Sequence, residues 1–114
     1  MKTGWLSPAG NFVKIFEKKL ENFTNTNVVC CNSGTSALHI CLIMAGVKSG
    51  DEVIVPSVTF IATVNAVLYC NAKPIFMDCD ETLNINVDKI LNFLKFNTYV
   101  SNKITYNKKT KKKY

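Results

Sequence analysis

The chain contains no arginine, although it is rich in lysine and carries a formal net charge of +6. Guanidinium forks are the preferred readers of base edges and phosphates, so a sequence-specific nucleic-acid module is not expected. The positive charge is also unevenly spread. Lys103, Lys108, Lys109, Lys111, Lys112 and Lys113 make up six of the fourteen basic residues, which leaves eight lysines against eight acidic residues. The body up to Asn102 is therefore neutral, and only the last segment is basic.

A cysteine framework is missing too. The five cysteines (Cys30, Cys31, Cys41, Cys70, Cys79) are odd in number, two are adjacent, and no CxxC pair occurs. That argues against a disulfide scaffold or a zinc site, and apolar neighbours point to reduced, buried thiols in a cytoplasmic protein. There is no basic start followed by an apolar signal core. The longest apolar stretch, residues 37–47, is too short to span a bilayer, so no membrane partner is expected. At 114 residues the chain suffices for one domain and one core. No internal repeat is visible.

What is present is an alternation. Phe12, Phe16, Leu20 and Phe23 recur at steps of four and three, which predicts an amphipathic helix. Residues 27–31, NVVCC, read as a strand covered on both faces, with Cys30 and Cys31 in the core on opposite sides. A buried helix should follow from residue 34 and end near Gly46. VIVP and KPIFM read as further strands around a helix over 59–72, and Val87, Ile90, Leu91 and Leu94 predict a last helix capped by Asn86. Strands alternating with helices imply an α/β sheet, whose ligands sit beyond the carboxyl ends of the strands.

In that architecture CCNSGTSA, residues 30–37, is a strand-to-helix turn. Such a turn offers unpaired N–H groups and the positive end of the helix dipole, which suits a phosphate. Gly34 would let a ligand approach the backbone, and Thr35 and Ser36 could add hydroxyls. The plainer alternative is that Ser33 or Thr35 merely caps the helix, which needs no ligand. The Walker lysine and the full GxGxxG spacing are both absent.

Residues 32–90, from NSGTSALHICLIMAG through DEVIVPSVTFIAT to NINVDKI, closely resemble the start of the large domain of the DegT/DnrJ/EryC1/StrS sugar aminotransferases. These are enzymes of fold type I that use pyridoxal phosphate. The flanks TGWLSPAG and NTYVSNKITYNKK look most like members that aminate UDP-linked 4-keto sugars on bacillosamine and legionaminic-acid-type routes. The resemblance implies an incomplete three-layer α/β/α large domain over residues 1–102, followed by a lysine-rich terminal segment over 103–114. Gly34, Thr35 and Ser36 then match the cofactor-phosphate turn, and Phe60 matches the aromatic that stacks on the cofactor ring. Without the family, Phe60 reads as core. Trp5 and Ser7 match a segment resembling a substrate-side wall, against the alternative of a tryptophan packed on the first helix.

The implied chemistry moves an amino group, with glutamate as donor, onto a nucleotide-linked keto sugar for cell-surface glycan synthesis. A homodimer with shared active sites is implied as well. The family places its aldimine lysine and the acidic partner of the pyridinium nitrogen downstream of residue 114, and no lysine here matches. The chain therefore reads as a piece of an enzyme, inactive alone, and prone to associate through bare edges and apolar faces.

Other readings remain. PIFMDCDET fits the strand-then-DxDxT pattern of haloacid-dehalogenase-like phosphatases, with Asp78 as nucleophile, Asp80 as acid/base, and magnesium between them. The lysine run with Tyr106 and Tyr114 could bind a polyanion, although such runs are usually solvated. The product could also be a non-functional remnant. His39, the sole histidine, falls inside a helix without a cysteine or acidic partner and reads as structural.

Overall fold

A computed structural model describes residues 10–114. Contacts divide the chain into two units, Met1–Asn32 and Ser33–Tyr114.

The first unit holds α1, Asn11–Thr24, which ends where Asn25 turns left-handed at φ 54°. Asparagine tolerates that conformation better than other non-glycine residues. The expected apolar spacing is on α1, but Phe12 and Phe16 are exposed, and Phe23 is 88 % exposed. Residues 27–31 form no strand: no described segment pairs with them. Their amides turn to α1 instead, the Cys30 N–H donating to Glu17 Oε1 at 2.9 Å and the Val28 N–H reaching Glu21 Oε1 at 3.5 Å. The expected core placement of the cysteine pair fails with the strand, because Cys30 is half-buried and Cys31 exposed.

The second unit opens with α2, Gly34–Met44, which Gly46 terminates at φ 83°. It continues with β1, Glu52–Pro56, then α3, Ile61–Tyr69, and β2, Lys73–Met77. β1 and β2 are parallel, in the register Glu52↔Lys73 to Pro56↔Met77, so β1-α3-β2 is a βαβ unit. Gly50 at φ 86° and Asn71 at φ 52° turn the chain into the two strands, and the Gly50 N–H donates to the Asn71 carbonyl at 2.9 Å. The core is small. Val55, Val67 and Ala72 are buried together, with Leu42, Val47, Val53 and Cys70 packed around them.

α2 departs from the buried helix that its composition predicts. It packs on α3, and the His39 and Tyr69 rings meet edge to face at 5.6 Å. Leu38, Ile40, Ile43 and Met44 nevertheless stay exposed. A helix apolar all round needs neighbours on several sides, and the described residues cover only one.

α4, Val87–Asn97, is capped as expected, the Lys89 N–H donating to Asn86 Oδ1 at 2.9 Å. It leads into an antiparallel hairpin of β3, Thr98–Ser101, and β4, Ile104–Asn107. Asn102 and Lys103 form its turn with φ of 50° and 63°, the double left-handed geometry that matches strand twist. Tyr99 and Tyr106 stand opposite each other with rings stacked at 5.6 Å. The lysine-rich segment thus begins inside a hairpin, where the sequence suggests only a solvated tail.

Candidate functional site

α2 begins with an extended Ser33, whose Oγ accepts the Ser36 N–H at 3.2 Å and lies 3.0 Å from Ser36 Oγ. The Ala37 N–H bonds back to the Ser33 carbonyl at 3.0 Å. The first amides of a helix have no partner within it, and here the cap satisfies only the one on Ser36. Among the described residues, no acceptor takes the N–H groups of Gly34 and Thr35. The first turn carries no acidic residue to offset the dipole.

Gly34 is informative for what does not surround it. A Cβ built there would meet nothing within 4 Å, and no positive φ requires glycine. Among the described residues, neither packing nor backbone demands glycine at this position. Thr35 and Ser36 are half-buried beside it.

Phe60 lies in the connection that follows β1, one residue before α3 and 79 % exposed. Thr59 and Thr63 bridge the same turn, with hydroxyls 3.0 Å apart. The candidate residues therefore open two helices that pack on each other, and no described hydrogen bond joins Phe60 to Gly34, Thr35 or Ser36. Trp5 and Ser7 lie outside the described residues.

The remaining candidates are occupied by local structure. Lys89 pairs with Asp78 and, with the Cys79 N–H at 3.0 Å, holds that carboxyl below its ordinary range. Asp80 is likewise held low, first by the Thr82 hydroxyl at 2.6 Å, and the amides of Thr82 and Asn84 add to this. The two carboxylates thus anchor a turn and a helix. No group of three or more metal-ligating side chains occurs among the described residues. Burial first, and then Glu17, pushes the Cys30 thiol up, away from reactive thiolate character. Three of the six tail lysines find partners within the chain: Lys108 on the Phe96 carbonyl at 2.8 Å, Lys111 over the Tyr99 ring, and Lys113 on Asp51 at 3.6 Å.

Sequence reasoning missed Glu52, which is 2 % exposed at the start of β1. Asn107 Nδ2 donates to one carboxylate oxygen at 2.8 Å and Thr110 Oγ1 to the other at 2.9 Å. Burial raises the Glu52 pKa, but hydrogen bonds from Tyr114, Asn107 and Thr110 outweigh it and hold the group below its ordinary value. Beside it, a cavity of about 320 Å³ is lined by Val47, Val53, Lys113 and Tyr114 among others. A charged residue opening an apolar strand was the available signal.

The fold of the chain is similar to that of solved enzymes. NtdA of Bacillus subtilis, with bound cofactor PMP, superposes with a TM-score of 0.69 at 40 % identity, over 74 % of this chain and 20 % of that one. A DegT DnrJ EryC1 StrS aminotransferase from Brucella abortus gives 0.68 at 37 % identity, over 76 % of this chain and 24 % of its own. GDP-perosamine synthase of Caulobacter vibrioides is 44 % identical over 92 residues, 79 % of this chain and 25 % of that protein. The chain thus spans about a quarter of the length of the curated relatives it matches. The model of the DegT/DnrJ/EryC1/StrS aminotransferase family matches residues 1–102, and to that family the chain belongs.

Proposed function

We propose that this chain forms the front part of the large domain of a pyridoxal-phosphate-dependent sugar aminotransferase, over residues 1–102, with 103–114 as a lysine-rich terminal segment. The observation that carries the reading is the start of α2, where two N–H groups without a described acceptor and an unobstructed Gly34 face no acidic residue. That arrangement fits a phosphate ester, which helix amides and hydroxyls bind through charge-assisted hydrogen bonds.

In this reading Gly34 and Thr35 offer amides to the phosphate, and the Thr35 and Ser36 hydroxyls complete its shell. Phe60 covers one face of the cofactor ring and keeps water off it. Bound there, the cofactor supplies an electron sink for bonds to the substrate carbon. Trp5 and Ser7 line the substrate side. Glutamate donates the amino group, and a nucleotide-linked 4-keto sugar of cell-surface glycan synthesis accepts it, in a cytoplasmic homodimer. The flanking segments favour a UDP-linked sugar. None of the lysines here is assigned the covalent cofactor link, so residues 1–114 do not transaminate alone.

The test is a titration of the chain with pyridoxamine phosphate, which lacks the aldehyde that would react with lysines at random. Backbone amide signals of Gly34, Thr35 and Ser36 should move together with the Phe60 ring, and excess inorganic phosphate should reverse the Phe60 shift while leaving the amides perturbed. Shifts confined to the lysine-rich end, or no shifts at millimolar ligand, would overturn the assignment.

A further inference from the structure

Beyond the β1–β2 ladder the Ser57 N–H donates to the Met77 carbonyl at 2.8 Å, and α3 starts at Ile61. The residues between have little to pack on, since Val58, Phe60 and Ile61 are all exposed. Phe60 also stands at the N-cap of α3, a position that favours Ser, Thr, Asp or Asn because their side chains accept an orphan amide. A phenyl ring cannot accept one, and no side-chain cap is formed. A local rule broken without a gain in packing is a mark of a functional position.

Two neighbouring threonines supply what Phe60 lacks. Thr63, at the third position of α3, donates its N–H to the Phe60 carbonyl at 3.0 Å. Its hydroxyl reaches back across the same residue to the Thr59 hydroxyl, also at 3.0 Å. Phe60 is thereby held from both sides in an extended conformation, φ −69° and ψ 141°. α3 is itself anchored by the buried Ala66 and Val67, so the threonines tie an exposed residue to a fixed element. The direction of an exposed ring without packing partners is set by its backbone and its first rotamer.

We propose that Thr59 and Thr63 form a clip that fixes the backbone of Phe60 and so holds its ring ready to cover a bound cofactor, with Thr63 as the positioning residue. The role rests on the cofactor reading above, whereas the clip is a property of the free chain. Pre-ordering the ring spares the ligand the entropic cost of ordering it.

The experiment uses the full 114-residue chain, with Thr63→Val, Thr63→Ser and Thr59→Val compared to the parent. In the free chain, the amide order parameter of Phe60 should fall from about 0.85 toward 0.6 in both valine variants and stay at the parent value in Thr63→Ser, which keeps the hydroxyl. Unchanged order in the valine variants overturns the clip, whatever a ligand does. Titrations with pyridoxamine phosphate and with inorganic phosphate, both read at the Gly34 amide, then test the role. One neutral hydrogen bond is worth about two- to tenfold in an equilibrium, so Thr63→Val should weaken pyridoxamine phosphate by about two- to fivefold and leave inorganic phosphate unchanged. Thr63→Ser should restore the parent affinity, and in a Phe60→Leu background Thr63→Val should cost nothing further. Equal losses for both ligands, or a loss that persists undiminished without Phe60, would mean that Thr63 only supports the helix and would overturn the positioning role. If Phe60→Leu alone binds pyridoxamine phosphate as the parent does, the ring assignment fails and takes the positioning role with it, while the free-chain measurement still decides the clip. If Thr63→Val fails to fold, Thr59→Val, a change at an exposed residue, makes the same comparisons.

Discussion

Ser33 and Thr35 stand two residues apart at the start of α2, and their substitution should separate helix capping from ligand binding. The Ser33 oxygen is already committed, since it accepts the Ser36 N–H at 3.2 Å. Ser33→Ala removes a helix cap, which costs about 1 kcal/mol of stability. The Thr35 hydroxyl has no described partner within the chain, so Thr35→Val should change stability by less than about 0.5 kcal/mol. Its effect should fall on the anion: one hydrogen bond to a charged group is worth about 1.5–3 kcal/mol, or roughly a ten- to hundredfold loss in affinity for pyridoxamine phosphate. Urea unfolding reads the first quantity, and titration followed by the Gly34 amide shift reads the second. The expected pattern is crossed, with Ser33→Ala lowering the unfolding midpoint and Thr35→Val lowering affinity. If Thr35→Val bound as tightly as the parent while Ser33→Ala lost stability, the turn would be a cap and nothing more, and the phosphate reading would be wrong.

Phe60→Leu should leave stability unchanged, because the ring is exposed, while weakening pyridoxamine phosphate by about three- to tenfold through lost stacking; equal affinity by titration would remove Phe60 from the site. Val67→Ala acts on the core instead. Val67 is 1 % exposed, and deleting two buried carbons plus the cavity they leave costs about 2–3 kcal/mol, so a loss below about 0.5 kcal/mol in urea unfolding would contradict the packing described. Stability should also be bounded in pH at both ends by the group around Glu52, which Tyr114, Lys112, Lys113 and Asp51 face. The folded Glu52 pKa lies below its ordinary 4.5, so its contribution is present above that value and fades as pH falls through the folded pKa, together with those of Asp78 and Asp80. Burial and then Glu52 push Tyr114 from 10 up to about 12, so its contribution is full below 10 and lost as pH rises through 12. Tyr114→Phe should abolish the alkaline limb and weaken the acid one, as followed by denaturation across pH.

Periodicity and capping were legible because they are local. The spacing of Phe12, Phe16 and Leu20 gave α1, Asn86 marked the start of α4, and Pro56 marked the end of β1. The start of α2 was legible for the same reason, since Ser33 caps a helix whose first residues are Gly34, Thr35 and Ser36. What failed depended on neighbours. NVVCC has the composition of a strand, but a strand exists only in a ladder, and with no described partner its amides turned to the glutamates of α1. The apolar girth of α2 signalled burial that one packed helix cannot supply.

The lysine-rich end misled in the opposite direction. Its composition is that of a solvated tail, and what orders it is a buried carboxylate more than fifty positions earlier in the sequence. Polarity along a chain predicts solvent only when each charge must find water. Here Asp51 and Glu52 provide the alternative, because a buried acid at a strand edge is tolerated only with donors brought to it, and the tail is where those donors lie. The same logic explains the difference between the two ends of β1. Around its amino end the Glu52 carboxylate is matched by Asn107 and Thr110, whereas Phe60, past its carboxyl end, is left exposed.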